Sequence, residues 1–327
     1  MLRSMTLAGA VIAALFVDTS LGLPEEGGSD CELAQRYYGL AQDRLGAVNQ
    51  DDAAAYLQRA ADACPRYAYA QELGEVKAKS AEAADKRDAV DAFVTAYGLA
   101  SSATERARSL WKYAELLNDE GDPQNAYPLI LEAKSLDGSK KDIVALAAEI
   151  QPQIESPSRE QLVRGLAESL YKPIIVTAAV SAGQVPSGGS SAESPAGARV
   201  ATAADSGARA ASERPSINLP IHFEFNSARA DARTAQNIKK LAEALADKRL
   251  AGSGFAFVGH ADVRGEADYN LVLSRKRADA IYDAVVELEP DLAGRISVTG
   301  KGAAEPIDSD STEEAHWRNR RLQVLVE

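Results

Sequence analysis

An acidic and a basic residue, Asp262 and Arg277, stand in the stretch 255–277, which reads FAFVGHADVRGEADYNLVLSRKR. The pattern predicts a strand at Phe255–Val258, a break at Gly259, a polar loop and then a helix. The carboxylate falls in the loop and the guanidinium near the start of the helix. Together such groups can hold a ligand that carries both an amine and a carboxylate. The stretch therefore indicates a binding site, and the rest of the chain must position it.

Catalytic chemistry is not indicated anywhere in the chain. No nucleophile–base pair, zinc-ligand set or pair of carboxylates in a plausible cleft is evident, so we expect neither an enzyme nor a cofactor. His222, His260 and His316 are far apart and form no metal-ligand cluster. The glycine pair at 252 and 254 precedes a strand, whereas a dinucleotide-binding loop follows one.

The composition is that of an acidic globular protein with room for two domains. The chain has 327 residues, a formal net charge of -12 and a hydrophobic content of 46%. Nucleic acid is excluded as the main partner because phosphate binding requires a basic face. The arginines at 318, 320 and 321 are too few to supply one.

The first residues have the features of an export signal. Arg3 precedes a short apolar run, Thr6–Val17, and Ser20 to Gly22 supply small residues for cleavage after Gly22. We predict a signal peptide at 1–22, with an uncleaved membrane anchor as the alternative. The run is short for a bilayer span, and no cysteine follows the small residues to accept a lipid. We therefore expect an exported, periplasmic protein.

Export permits disulfide formation, and the chain has two cysteines, Cys31 and Cys64. If 32–47 and 52–63 form a helical hairpin, the start of the first helix lies beside the end of the second. The cysteines stand at those two places, which predicts a disulfide. A free thiol or a redox pair is the alternative.

The region 31–171 is predicted to be helical throughout. Alanines and larger apolar residues recur at spacings of three and four, as in Ala89, Phe93 and Ala96, and short polar breaks separate the segments. Aligned on those breaks, the region resembles an array of about three tetratricopeptide-type hairpins, which implies a face for a peptide or protein partner. An unrelated helical bundle is the alternative. Tyr37, Tyr38 and Trp111 fit either that face or the packing between helices.

A flexible linker is predicted at 172–215. The segment is dominated by Gly, Ser, Ala and Pro, and large apolar side chains are nearly absent after Val180. The short apolar run Ile174–Val180 has no assigned role.

The last segment, 216–327, is predicted to be one α/β domain. Strands are expected at 217–225, 255–258, 295–300 and 321–326, with helices at 232–248 and 269–288 and a short helix near Thr312. The predicted architecture is therefore a helical-repeat domain, a linker and a compact domain of alternating strands and helices.

Several motifs in this segment occur in the order and spacing of a known family. They are FEFNS at 223–227, GHAD at 259–262, YNLVLSRKRA at 269–278, GKGAAEPI at 300–307 and NRR at 319–321. The segment resembles the carboxy-terminal peptidoglycan-binding domain of outer membrane protein A and its relatives. The resemblance covers about a third of the chain.

The resemblance implies a ligand, the diaminopimelate residue in the peptide stem of peptidoglycan. By position, Asp262 would hold its ammonium group and Arg277 its carboxylate, for which a guanidinium supplies a planar fork. Asn270 would add a hydrogen bond and Arg320 would lie at the rim. Ser274 belongs to the same signature, as does Leu273, which is expected to be buried.

Two positions depart from the family pattern. Ala261 stands where threonine is common, and His316 stands where arginine is common.

The first hypothesis is a non-catalytic, wall-associated protein of the periplasm or outer membrane whose helical region binds an unidentified envelope protein. The alternative is a protein–protein scaffold whose carboxy-terminal domain no longer binds peptidoglycan, and a wall hydrolase is the third.

Overall fold

The computed structural model describes residues 30–47, 49–172, 215–220, 232–308 and 311–327. The predicted signal peptide at 1–22 and all but the ends of the predicted linker lie outside these ranges. So do the FEFNS motif, His222 and the second half of the strand predicted at 217–225. The described residues confirm the expected fold class, with helices in the first half and an α/β domain at the end.

The first two helices form a hairpin that is a compact unit of its own. Helix α1 spans Asp30–Gly46 and α2 spans Gln50–Ala63. The Asn49 side chain begins α2 by accepting a hydrogen bond from the Asp52 backbone N–H at 3.2 Å. The predicted disulfide joins Cys31 to Cys64 across the open end, with a Cα–Cα distance of 4.9 Å. Closing a loop of this length stabilises the hairpin by about 3 kcal/mol.

A second compact unit begins at Arg66, and its first five helices lie between Tyr67 and Glu155. They are α3 Tyr67–Lys77, α4 Ala83–Leu99, α5 Ala103–Asp119, α6 Pro123–Leu136 and α7 Lys141–Glu155. Helices α3 and α4 pair as one hairpin, and α5 and α6 as another. No described helix is long and apolar enough to cross a membrane.

The recurring alanines lie in the core of these hairpins. Ala89, Ala114 and Ala126 are fully buried, and the larger Phe93 and Ile130 fill the space between helices. Small residues allow the helices to approach closely, which explains the spacing seen in the sequence. Trp111 is buried as well, so it packs inside the array. The assignment to the tetratricopeptide type stays a prediction.

The carboxy-terminal domain is built on a four-stranded sheet. Its strands are β1 Ser216–Pro220, β2 Phe255–His260, β3 Ile296–Gly302 and β4 Arg321–Val326. Their order is β1–β4–β2–β3, in which β4 is antiparallel to both neighbours and β2 is parallel to β3. Three helices complete the described part, α9 Ala232–Leu245, α10 Ala267–Leu288 and α11 Glu313–Asn319.

The core of this domain includes residues from the helical region. A short helix, α8 Arg159–Val163, continues into a single π-helical turn at Arg164–Glu168. Leu162, Val163 and Leu166 are at most 1% exposed and belong to the same apolar cluster as Ile217 and Leu241. Burial of a large apolar side chain contributes roughly 1.5–3 kcal/mol. The described parts on the two sides of the predicted linker therefore share one core.

Charged groups surround the contact between α8 and the carboxy-terminal domain. Arg249 pairs with Glu160 at 2.8 Å and with Glu168 at 3.3 Å, and Arg233 pairs with Glu155 at 3.2 Å. The Asn237 side chain donates to the Glu155 backbone carbonyl at 3.0 Å. Exposed ion pairs contribute little individually. Their main effect is to fix the orientation of helices α7 and α8 on the domain.

We expect the parts of the protein before and after the predicted linker to stay associated when the linker is cleaved. A protease recognition sequence inserted between residues 173 and 214 allows cleavage of the folded protein. The two fragments should co-elute on size exclusion, because the buried side chains of α8 remain in the domain core. Leu162→Asp should separate them, whereas Leu99→Asp, at an exposed position of α4, should not. Fragments of the unsubstituted chain that elute separately would contradict the shared core.

Candidate functional site

The site is positioned by the close approach of helix α10 to strands β2 and β3. A Cβ added to Gly259 on β2 would lie 2.1 Å from the backbone carbonyl oxygen of Ser274. A Cβ at Gly300 on β3 would lie 2.6 Å from the backbone nitrogen of Arg275. Both glycines are therefore required by space. Their small size sets the height of α10 above the sheet and so the position of Arg277.

The loop between β2 and α10 is held by an amide from the helix. The Asn270 side chain donates to the backbone carbonyls of Arg264, at 2.9 Å, and Asp262, at 3.3 Å. Asn270 is only 4% exposed. Gly265 completes the loop with a φ of 92°, which favours glycine. In this structure, Asn270 acts by fixing the loop that carries Asp262.

Asp262 is a buried carboxylate surrounded by guanidinium groups. Its Oδ1 accepts from the backbone N–H of Arg264 at 3.0 Å and from Arg264 Nε at 3.0 Å. Its Oδ2 accepts from Arg264 Nη2 at 2.9 Å and from Arg320 Nη1 at 2.7 Å. Burial raises the pKa of this carboxyl, but the arginine hydrogen bonds outweigh it and hold the pKa well below its usual range. Asp262 is therefore a permanent negative charge.

Arg277 presents a cation to the same region. It is 9% exposed, on the face of α10 that is turned toward the sheet. Burial lowers its pKa, Arg320 lowers it further, and Asp262 acts in the opposite direction. Arg277 and Arg320 line one cleft together with His260 and Arg321. Arg320 bonds the Asp262 carboxylate at 2.7 Å and so connects it to the cleft that holds Arg277.

Ser274 and Leu273 are structural parts of the same signature. The Ser274 hydroxyl is fully buried, donates to the Leu271 carbonyl at 2.9 Å and accepts from the Gly302 N–H at 2.9 Å. It ties α10 to the end of β3. Leu273, which we expected to be buried, is half-buried. The predicted ligand contact of Ser274 stays a prediction, and its position supports a role in holding the helix.

The two histidines near the site are buried. Nε2 of His260 lies 3.3 Å from Oε1 of Gln323 on β4, and burial lowers its pKa to about 3. His260 is therefore neutral at physiological pH. His316 on α11 is 8% exposed, and Ala261 is 5% exposed at the start of the loop. Among the described residues, no group of three or more His, Cys, Asp or Glu is arranged to hold a metal ion.

Arg264 and Glu313 belong to the site, although the sequence reasoning did not select them. Arg264 donates to Glu313 through Nη1 at 2.9 Å as well as to Asp262. Arg320 Nη2 lies 3.5 Å from Oε1 of Glu313. The spacing of Arg264, two residues after Asp262, is a usable signal, because an Asp side chain often bonds its own backbone two residues on. Glu313 gives no such local signal.

The comparison with protein families identifies the domain. Residues 222–320 match the model described as the OmpA family, so this part of the chain is an OmpA-family domain. The resemblance inferred from the motifs is thereby confirmed.

Three relatives show the extent of the similarity. The outer membrane porin F of Pseudomonas aeruginosa is 30% identical over 121 residues, 37% of this chain and 34% of the relative. Outer membrane protein A of Bordetella avium is 39% identical over 110 residues, 34% of this chain and 55% of the relative. The peptidoglycan-associated lipoprotein of Buchnera aphidicola is 27% identical over 107 residues, 33% of this chain and 60% of the relative. The chain thus spans between a third and three fifths of these relatives.

We expect Gly259→Ala to displace α10 and disturb the site. The added methyl group meets backbone, which cannot rotate away, so the free energy of unfolding should fall by about 1–3 kcal/mol or more. Urea unfolding measures this change. Gly98→Ala is the matched control, because a Cβ at Gly98 in α4 has no atom within 4 Å. Equal stability of the two variants would show that the glycine contact does not position the helix.

Proposed function

We propose that this protein is a non-catalytic, cell-wall-binding protein whose OmpA-family domain recognises the diaminopimelate residue in the peptide stem of peptidoglycan. The match of residues 222–320 to the family, and a relative whose name is peptidoglycan-associated lipoprotein, support wall binding. Names of relatives that include outer membrane proteins support a location in the periplasm, next to the wall and outer membrane.

The observation that carries the proposal is the buried Asp262 bonded to Arg320, which lines one cleft with Arg277. The end of a diaminopimelate side chain bears an ammonium and a carboxylate on one carbon, so its receptor needs an anion and a cation a short distance apart. Asp262 remains ionised because arginines lower its pKa, and Arg277 is a fixed guanidinium on a rigid helix. Arg320, at 2.7 Å from Asp262, places a second guanidinium at the same cleft.

The helical region is proposed to bind a protein partner. Within the unit that begins at Arg66, the hairpin of α3 and α4 contacts the hairpin of α5 and α6. Repeat proteins, which the sequence resembles here, present an extended surface to peptides or proteins. The core shared between α8 and the OmpA-family domain supports a role in which a partner is held at a fixed orientation to the wall.

One observation favours the alternative, a scaffold that no longer binds peptidoglycan. The Asp262 carboxylate already receives hydrogen bonds from Arg264 and Arg320. Ala261 also lacks the hydroxyl that is common at its position in the family. In this alternative, the ion cluster is a structural feature of the loop, and the domain acts through its surface.

Binding to isolated sacculi of the diaminopimelate type separates the two. The intact protein should co-sediment with them, and Asp262→Asn or Arg277→Ala should weaken binding by roughly thirtyfold or more, because each leaves a desolvated charge without its partner. Asp279→Asn is the control, since Asp279 forms an exposed ion pair with Arg275 on the same helix. Absence of binding by the unsubstituted protein would favour the scaffold, and binding that all three variants retain would show that this site does not recognise peptidoglycan.

Binding should be independent of pH between 5 and 7. The pKa of Asp262 lies below its usual value of about 3.9, so its charge is lost only as the pH falls below that range. The pKa of Glu313 is lowered by Arg264, and His260, with a pKa of about 3, stays neutral. The affinity of the protein for a soluble peptide that ends in diaminopimelate, measured by titration calorimetry at pH 5, 6 and 7, tests this prediction. A loss of affinity at pH 5 would contradict it.

A further inference from the structure

The Asp262 carboxylate is saturated by donors from its own chain. Arg264 supplies three hydrogen bonds, from its backbone N–H at 3.0 Å, from Nε at 3.0 Å and from Nη2 at 2.9 Å, and Arg320 supplies a fourth at 2.7 Å. A carboxylate offers about four lone-pair positions. An ammonium group from a ligand can therefore reach Asp262 only if one of these donors leaves.

Exposure identifies the donor that leaves. The backbone N–H of Arg264 is fixed by the loop, which Asn270 holds. The side chain of Arg320 is 24% exposed, whereas that of Arg264 is 52% exposed. Both side chains have Glu313, which is 66% exposed, as a second partner, but the contact of Arg264 is a hydrogen bond at 2.9 Å, whereas Arg320 lies 3.5 Å away. The Arg264 side chain can swing away from Asp262 while it remains paired with Glu313.

We propose that Arg264 is an internal competitor for Asp262 and so lowers the affinity of the site for its ligands. Its guanidinium occupies the position that a ligand ammonium would take, and binding exchanges one for the other. This inference rests on the proposed function, since it concerns the same site. It adds a residue that sets the affinity of the site and is not one of the ligand-holding pair.

The exchange disfavours simple amines. A ligand with an ammonium alone gains Asp262 but must displace a bidentate guanidinium, which is a strong partner for a carboxylate. A ligand that also carries a carboxylate gains Arg277 at the same time. Arg264 therefore lowers the affinity of the site for both kinds of ligand. A zwitterionic ligand still binds more tightly than a monocation, because it also gains the contact with Arg277.

Titration calorimetry of the intact protein tests the exchange. The probes are a soluble tripeptide that ends in diaminopimelate and the same tripeptide with lysine in its place. Arg264→Ala should bind the diaminopimelate peptide about two- to fivefold more tightly, the value of one exposed ion pair, and should gain a similar factor for the lysine peptide, because both ligands displace the same contact. Arg275→Ala, which removes an equally exposed arginine from an ion pair elsewhere on α10, should change neither affinity.

The outcomes are distinguishable. Equal or weaker binding of the diaminopimelate peptide by Arg264→Ala, while the unsubstituted protein binds it, would overturn the competitor and leave the proposed function standing. Failure of the unsubstituted protein and both variants to bind either peptide would overturn the proposed function and this inference with it. Binding by Arg264→Ala alone would support the competitor strongly. Arg264→Gln, which keeps the aliphatic stem, serves in its place if thermal unfolding shows that Arg264→Ala is not folded.

Discussion

Helix α10 lies directly on the backbone of two parallel strands, and this contact determines the geometry of everything around the site. It exists because Gly259 and Gly300 have no side chains where the backbone at Ser274 and Arg275 passes. The buried Ser274 hydroxyl then links the helix to the Gly302 N–H. A helix held at that height brings Arg277 to the end of β2, where the loop carrying Asp262 begins. The opposite charges of the site are therefore placed by backbone packing, and the attraction between them acts on a geometry that is already fixed.

The same domain depends on residues that come well before it in the chain. Leu162, Val163 and Leu166 fill its apolar core, and ion pairs around Arg249 fix the short helix that carries them. The OmpA-family domain is therefore joined to the helices that precede it through a shared apolar core and not only through the chain between them.

Much of the fold follows from local sequence patterns. The helix at 267–288 and the last strand at 321–326 were predicted within two residues, because apolar periodicity is strong there. The disulfide was predicted from the expected helical hairpin alone, because the two cysteines stand at its open end. The insertion of α8 into the core of the later domain could not be predicted in this way. Its three apolar residues, in a five-residue helix and the turn that follows it, would look the same if they covered a neighbouring repeat.

The site was predictable in its charges but not in their pairing. Residue type shows that Asp262 and Arg277 are suited to a zwitterion, yet it cannot show that Arg264 and Arg320 already satisfy the carboxylate. Likewise, the polar side chains of Asn270 and Ser274 must form hydrogen bonds once buried. Only the fold reveals that their partners are the loop and strand β3.

We propose above all that the site recognises an ammonium and a carboxylate on the same carbon. The most direct measurement is the dissociation constant of the intact protein for a diaminopimelate peptide and for its lysine counterpart, which differ only in that carboxylate. We expect the lysine peptide to bind roughly tenfold more weakly or worse, because it lacks the carboxylate that is proposed to accept hydrogen bonds from Arg277. Equal affinities for the two peptides would contradict it.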